Sequence, residues 1–472
     1  MFSIIRIHWV LQSSQILKYL LSSTSIIIIV GFVVVLLHIV DMSAGDTWAL
    51  NMNNRNSFQY TIIYSIITVA SLIILAFLLM VSVRIAFKTK KATSHLSIIT
   101  KYLYVGSHIA LMSSIAYLLV EQIVTYRYHT LLLELIVGLS LIPSVLILSS
   151  LAFTSLKSFS STKRKIVLVY GVAIITIAVE LIIAFCYIEI NLYNKPDIIT
   201  SDRNPWASYF YTNLQSKISL SYEVSEAISF IITWIALILL TKQYAQKVGK
   251  IKYSITLSIP MIYFLLQYSP LLLEQIGTLS SIVMAEGSLF LYIYNFILNT
   301  VNVGTGILFG ISFYILSRSL VYDDLKYYLI VCGTGIMIIF SSSVSTVLTL
   351  APFPAWAIVS LSFILPASFL LLIGLDSATY YIASDTLIRR YLYRYKEQFG
   401  LFQALGYTKA ADIIEQKIHK QLYNLENKTM FKSISDLEET KQYIENVIIE
   451  MKQSERKVDN TKSNCVSDES PK

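Results

Sequence analysis

The chain has 472 residues, of which 55% are hydrophobic and 14% charged, and its mean hydropathy is +0.63. A soluble domain carries roughly 25% charged residues, so this composition excludes an ordinary water-soluble protein. Net charge is +8, but Lys and Arg sit at the ends of long apolar blocks, which argues against nucleic acid as a partner.

In chain order, apolar blocks predict membrane spans at about 16–40, 59–86, 98–122, 130–155, 166–188, 223–241, 253–273, 286–316, 327–350 and 355–379. Backbone groups in hydrocarbon must bond internally, so each span is expected to be a helix. Strands of a barrel would alternate, and these blocks are apolar all round. The expected fold is therefore an all-α polytopic bundle of about ten spans. The first block runs from Ser25 to Val40 and exceeds a signal-peptide core, so an uncleaved first span is expected.

Cations alternate between span ends. One side holds Arg6 and Lys18; Arg84, Lys88, Lys90, Lys91 and Lys101; Lys157, Lys163, Arg164 and Lys165; Lys242, Lys247, Lys250 and Lys252; Arg318 and Lys326; and Arg389, Arg390, Arg394 and Lys396. The other side holds only Arg55, Arg127, Lys195, Arg203 and Lys217. The positive-inside rule then places both termini in the cytoplasm, in a cell-membrane protein.

The outer loop 189–222 divides the spans five and five, and a cap or lid is expected there. An odd number per half is the layout of inverted-repeat transporters. The broken helices of such transporters are not visible. Pro143, Pro260, Pro270 and Pro366 do not occupy matching positions of the two halves.

Polar residues inside a span are costly and each needs a reason. In span eight, Ser288, Tyr292, Asn295, Asn299, Asn302 and Gly306 recur every three or four residues and share one stripe. The stripe is either interhelical glue or the wall of a polar cavity. Gly304, Gly306 and Gly310 would admit a close neighbour. Glu180 lies in span five, with His108 of span three as one candidate partner. These two, with Asn295, Asn299 and Asn302, form the candidate polar seam or cavity. Glu121, Glu134, Glu226, Glu274 and Glu286 gather near outer span ends, where hydration is the expected state.

No nucleotide, zinc-protease or hydrolase motif occurs. Cys186, Cys332 and Cys465 are far apart, and the histidines lack ligand spacing. No cofactor, metal or catalytic residue is expected.

The tail is expected to start at 385 and to carry helices to about 455, with a disordered end at 456–472. Arg389, Arg390, Arg394 and Lys396, interleaved with tyrosines, are the expected anchor to anionic lipid. One tail helix would align Ala411, Ile414, Ile418, Leu422 and Leu425. A second would be capped by Ser435 with Glu438 three residues on. These helices offer a surface for a cytoplasmic protein partner or for self-association.

The residues Ser317-Arg318, Tyr328-Leu329, Gly335, Phe340-Ser341, Pro352-Phe353-Pro354, Gly374-Leu375-Asp376-Ser377-Ala378, Ser384-Asp385 and Arg389-Arg390 form a pattern that resembles an uncharacterised multi-pass membrane protein family of ammonia-oxidising archaea. The likeness covers the last two spans and the start of the tail. It implies an archaeal lineage and no particular activity.

Three functions are compatible with this reading. The first is a non-catalytic receptor or signalling scaffold, in which span ten runs on towards the tail. The second is a secondary transporter or channel for a small solute or ion. The third, a membrane-embedded transferase, has only Asp197 and Asp202 as loop candidates.

Overall fold

The computed structural model describes residues 24–50, 57–88, 95–193, 195, 197–200, 213–242, 249–265, 289–318, 320, 322–342, 353–385, 388, 401–402, 404–411 and 413. Almost all of this is helix: α1 Thr24–Leu50, α2 Ser57–Lys88, α3 His95–Thr125, α4 Thr130–Thr162, α5 Lys165–Tyr193, α6 Asn213–Thr241, α7 Lys250–Leu265, α8 Leu289–Arg318, α9 Asp323–Ser342, α10 Ile358–Ser362 and α11 Ile364–Ser384. Two three-residue strands, β1 Arg127–His129 and β2 Ile198–Thr200, complete it.

Each expected span has a described helix. Among the described residues, eight helical stretches are long and apolar enough to cross a membrane, α10 and α11 counting as one. The other two expected spans are represented by α7 and by Val303–Arg318 of α8. The protein is an all-α polytopic bundle.

Burial sorts the helices into centre and ring. In α9 and in the α10–α11 stretch, 89% and 94% of the apolar window is buried inside the protein. In α1 to α6 the figure lies between 33% and 50%. Ring helices present Ile29, Leu36, Ile66, Ile73, Val124, Leu131 and Phe153 outward. Such exposure would be a liability in water and is the natural face towards lipid.

Central packing depends on missing side chains. A Cβ on Gly310 would lie 2.8 Å from the Gly333 carbonyl oxygen, and one on Gly333 would lie 2.9 Å from that of Gly310. On the other face of α9, a Cβ on Gly335 would sit 2.8 Å from the Ala367 oxygen. A Cβ on Gly374 would sit 2.9 Å from the Tyr328 oxygen. Backbone thus meets backbone on both sides of α9, the small-residue packing that lipid-solvated helices use. Gly306 also meets α9, whereas Gly304 meets the Tyr263 ring of α7. Hydroxyls in this apolar setting bond back to their own helices: Thr68 to the Tyr64 carbonyl, Ser71 to that of Ile67, and Ser341 to that of Met337, each at 2.8 Å.

At one end of the bundle β1 pairs antiparallel with β2, Tyr128 opposite Ile199. The Thr130 N–H extends the ribbon by donating to the Asp197 carbonyl at 2.9 Å. The ribbon ties the α3–α4 turn to the α5–α6 loop, so part of the expected cap is a strand pair. The opposite, basic end carries the α4–α5 turn, where Lys163 adopts φ 54° and its N–H donates to the Phe159 carbonyl at 2.8 Å.

Towards the basic end, Leu401, Phe402, Ala404 and Leu405 are buried with the bundle core. Gly406 lies against Ile382 of α11, and the Ser161 and Thr408 hydroxyls are 3.0 Å apart. The compact unit containing the bundle runs to Thr408, and a second unit begins at Lys409. Of the expected tail helices only 409–411 and 413 are described, as helix; their remainder, the basic stretch Arg389, Arg390, Arg394 and Lys396, the start of the first span, the 201–212 part of the outer loop, Glu274 and Glu286 lie outside the described residues.

Gly335→Ala is expected to cost about 1–3 kcal/mol by forcing α9 and α11 apart. Gly106→Ala, whose Cβ meets nothing within 4 Å, should not lower stability. Thermal midpoints in detergent check both. A second expectation concerns pH. Burial lowers the Lys195 ammonium, just beyond α5, from 10.5 to about 7. Between these values the folded state holds fewer protons than the unfolded chain, so stability rises with pH over that interval. Lys195→Met should flatten the rise, measured as the thermal midpoint against pH.

Candidate functional site

The last transmembrane stretch is discontinuous. Its first residues, Phe353 to Ala357, are non-helical yet fully inside the protein. Ala357 adopts φ 68°, unusual for a residue with a side chain. Helix then runs through α10, is interrupted at Phe363, and resumes as α11. Pro366 accounts for the interruption: it has no N–H, and its ring crowds the carbonyl four residues earlier. At the same interrupted turn the Ser140 hydroxyl of α4 donates to the Leu361 carbonyl, tying the segment to its neighbour.

Around this break sits a buried polar cluster. Asp41 of α1 is 0% exposed, and its Oδ2 accepts from the Ser360 hydroxyl at 2.9 Å. Tyr64 of α2 meets Trp356 edge to face, with centroids 5.4 Å apart. Tyr128 of β1 lies nearly parallel to Phe353, centroids 6.2 Å apart. The ribbon therefore contributes a buried side chain of its own to the aromatic layer. Asp41 Oδ1, both ring nitrogens of His38 and Trp356 Nε1 are buried and make no hydrogen bond. Buried polar atoms are nearly always bonded in proteins, so these four unbonded atoms beside a broken helix make the segment a candidate site.

The sequence-derived seam is distributed differently. His108 Nε2 lies 3.1 Å from the Leu75 carbonyl of α2, and its ring packs on Tyr104, which stacks on Phe369 of α11. Glu180 instead faces α6, where Glu226 and the Ser229 hydroxyl are its neighbours. Among the described residues His108 and Glu180 have separate neighbours and no interaction joins them. Glu226 itself is buried at 6% exposure rather than hydrated at a span end. The reason is that α6 starts at Asn213, ten residues before the expected span, which carries Glu226 deep into the helix. Asn295, Asn299 and Asn302 do lie on α8, in the stretch 289–302 whose side chains fall outside the described residues.

Asp41, Ser360 and Trp356 were not singled out by sequence reasoning. The usable signal was Pro352-Phe353-Pro354 and Pro366 bracketing one apolar block. Among the described residues no group of three or more His, Cys, Asp or Glu forms a metal cluster.

Ser140→Ala should strip the Leu361 carbonyl of its donor and cost about 1–3 kcal/mol. Ser113→Ala, on an exposed serine bonded to its own helix, should stay within about 0.5 kcal/mol of the parent. Chemical denaturation in detergent reads both. No family model, curated protein or solved structure matches the chain. Its long apolar helices make it an integral membrane protein.

Proposed function

We propose that the protein is a non-catalytic membrane receptor or signalling scaffold, with the basic end of the bundle and both termini in the cytoplasm. The observation that carries this reading is a pair of helices stapled together at opposite depths. α4 donates from Ser140 to the broken segment beside Asp41, and from its far end Ser161 meets Thr408. α11 runs from the same break to Ile382, against which Gly406 is seated. A change in the polar cluster is thus linked by rigid elements to residues 401–408.

The buried cluster is the sensing element in this reading. Its unbonded polar atoms are where a small polar ligand or a hydration change gains differential binding energy between two arrangements. Residues 401–408 are the output, continued by the tail. The tail works through a cytoplasmic partner or by self-association, with Arg389, Arg390, Arg394 and Lys396 held at anionic lipid.

A second reading, a secondary transporter for a small solute or ion, is favoured by the buried Glu180–Glu226 neighbourhood between α5 and α6. Intramembrane carboxylates commonly mark ion or proton paths.

Asp41→Asn tests the receptor reading without a known ligand. Amide exchange across 401–408 is expected to quicken at least about fivefold, while Thr154→Val, on an exposed face of α4, leaves it unchanged. Equal exchange in Asp41→Asn and parent would remove the coupling. Proteoliposome flux that is abolished by Glu180→Gln would move the assignment to the transporter.

A further inference from the structure

We infer that the protein carries a specific site for an amine-bearing phospholipid on its lipid-facing surface between α4 and α5. An open groove of about 640 Å³ runs there, walled by Leu135, Gly138, Ile142 and Pro143 of α4 and by Phe185 of α5. Glu134 and Glu189 also line it, within electrostatic reach of each other.

The positions fit one molecule. Glu134 stands four residues after the start of α4 at Thr130, and Glu189 four residues before the end of α5 at Tyr193. Both are roughly 6 Å inside the helix ends, at headgroup depth. From Glu134 to Pro143 the groove descends roughly 13 Å, close to the hydrocarbon depth of one leaflet, about 15 Å.

Gly138 opens the floor midway, and the apolar walls suit an acyl chain. Pro143 lacks the N–H that would continue the helix ladder at that level.

Charge decides which lipid. Both carboxylates are half-buried and line the same groove. A primary headgroup ammonium between them meets both acidic side chains and donates a hydrogen bond to each. An anionic headgroup would add a third negative charge. The occupant is therefore a phospholipid whose headgroup ends in a primary ammonium, chain in the groove and ammonium at Glu134 and Glu189. The groove lies apart from the Asp41 cluster and does not depend on the receptor reading.

The test uses the full chain reconstituted in vesicles of equal parts phosphatidylethanolamine and phosphatidylglycerol. The protein is re-extracted in mild detergent and retained lipid is read by native mass spectrometry. The parent should retain phosphatidylethanolamine over phosphatidylglycerol by about fivefold, the ratio expected for roughly 1 kcal/mol of headgroup electrostatics. The double variant Glu134→Gln with Glu189→Gln should lose the preference. Gly138→Leu keeps both carboxylates but fills the floor, where a Cβ meets only Ile142 at 3.8 Å, and should lower retention of either lipid. Phosphatidylcholine in place of phosphatidylethanolamine should be retained less, because its quaternary ammonium has no N–H to donate; equal retention would overturn the proposed headgroup recognition. Retention in the bulk ratio, preference for phosphatidylglycerol, a bound second copy of the chain instead of lipid, or a preference that survives both variants would each overturn the site.

Discussion

Everything in the bundle is arranged around the approach of α9 to α8 on one side and α11 on the other. In hydrocarbon there is no hydrophobic gain in moving a helix from lipid to protein, so association relies on close contact. Gly310, Gly333, Gly335 and Gly374 supply that contact by leaving out a Cβ that would lie within 3 Å of a carbonyl oxygen on the neighbouring helix. The resulting centre is nine-tenths buried, and the remaining helices can spend half their surface on lipid.

The rigid centre is also what makes the irregular segment tolerable. Non-helical backbone at membrane depth survives only where protein surrounds it. Phe353 to Ala357 is such a case, held under Tyr128 and against Tyr64. Ser140 and Ser360 then do different things: the first ties the Leu361 carbonyl of the interrupted turn to α4, the second satisfies half of a buried carboxylate. A receptor needs an element with two arrangements of similar energy. A partly bonded carboxylate beside a broken helix has that character in a way that an unbroken, fully bonded span does not.

Much of the architecture was legible in the sequence. Each expected span overlaps a described helix, because length and hydropathy respond directly to bilayer thickness. Gly306 and Gly310 were recognisable as close-packing positions, since no other residue type permits it. The site was largely hidden. Asp41 looks like the polar end of a span, and only the return of a segment over three hundred residues later makes it interior. Glu180 attracted attention correctly as a buried carboxylate, yet its neighbour Glu226 could not be found without knowing that α6 begins in what reads as loop. The β1–β2 ribbon joins Arg127–His129 to Ile198–Thr200, runs too short to register as alternation. Pro366 was visible, but the hydrogen bond from Ser140 of another helix to the same interrupted turn was not.

The order of the chain has a consequence for biogenesis. The two most interior spans are among the last to emerge from the ribosome, and the ring that encloses them is made first. Until α10 and α11 arrive, Asp41 has no Ser360 and the inward faces of α1 to α4 have no centre to close on. The ring helices therefore cannot take up their final packing before these later spans are inserted.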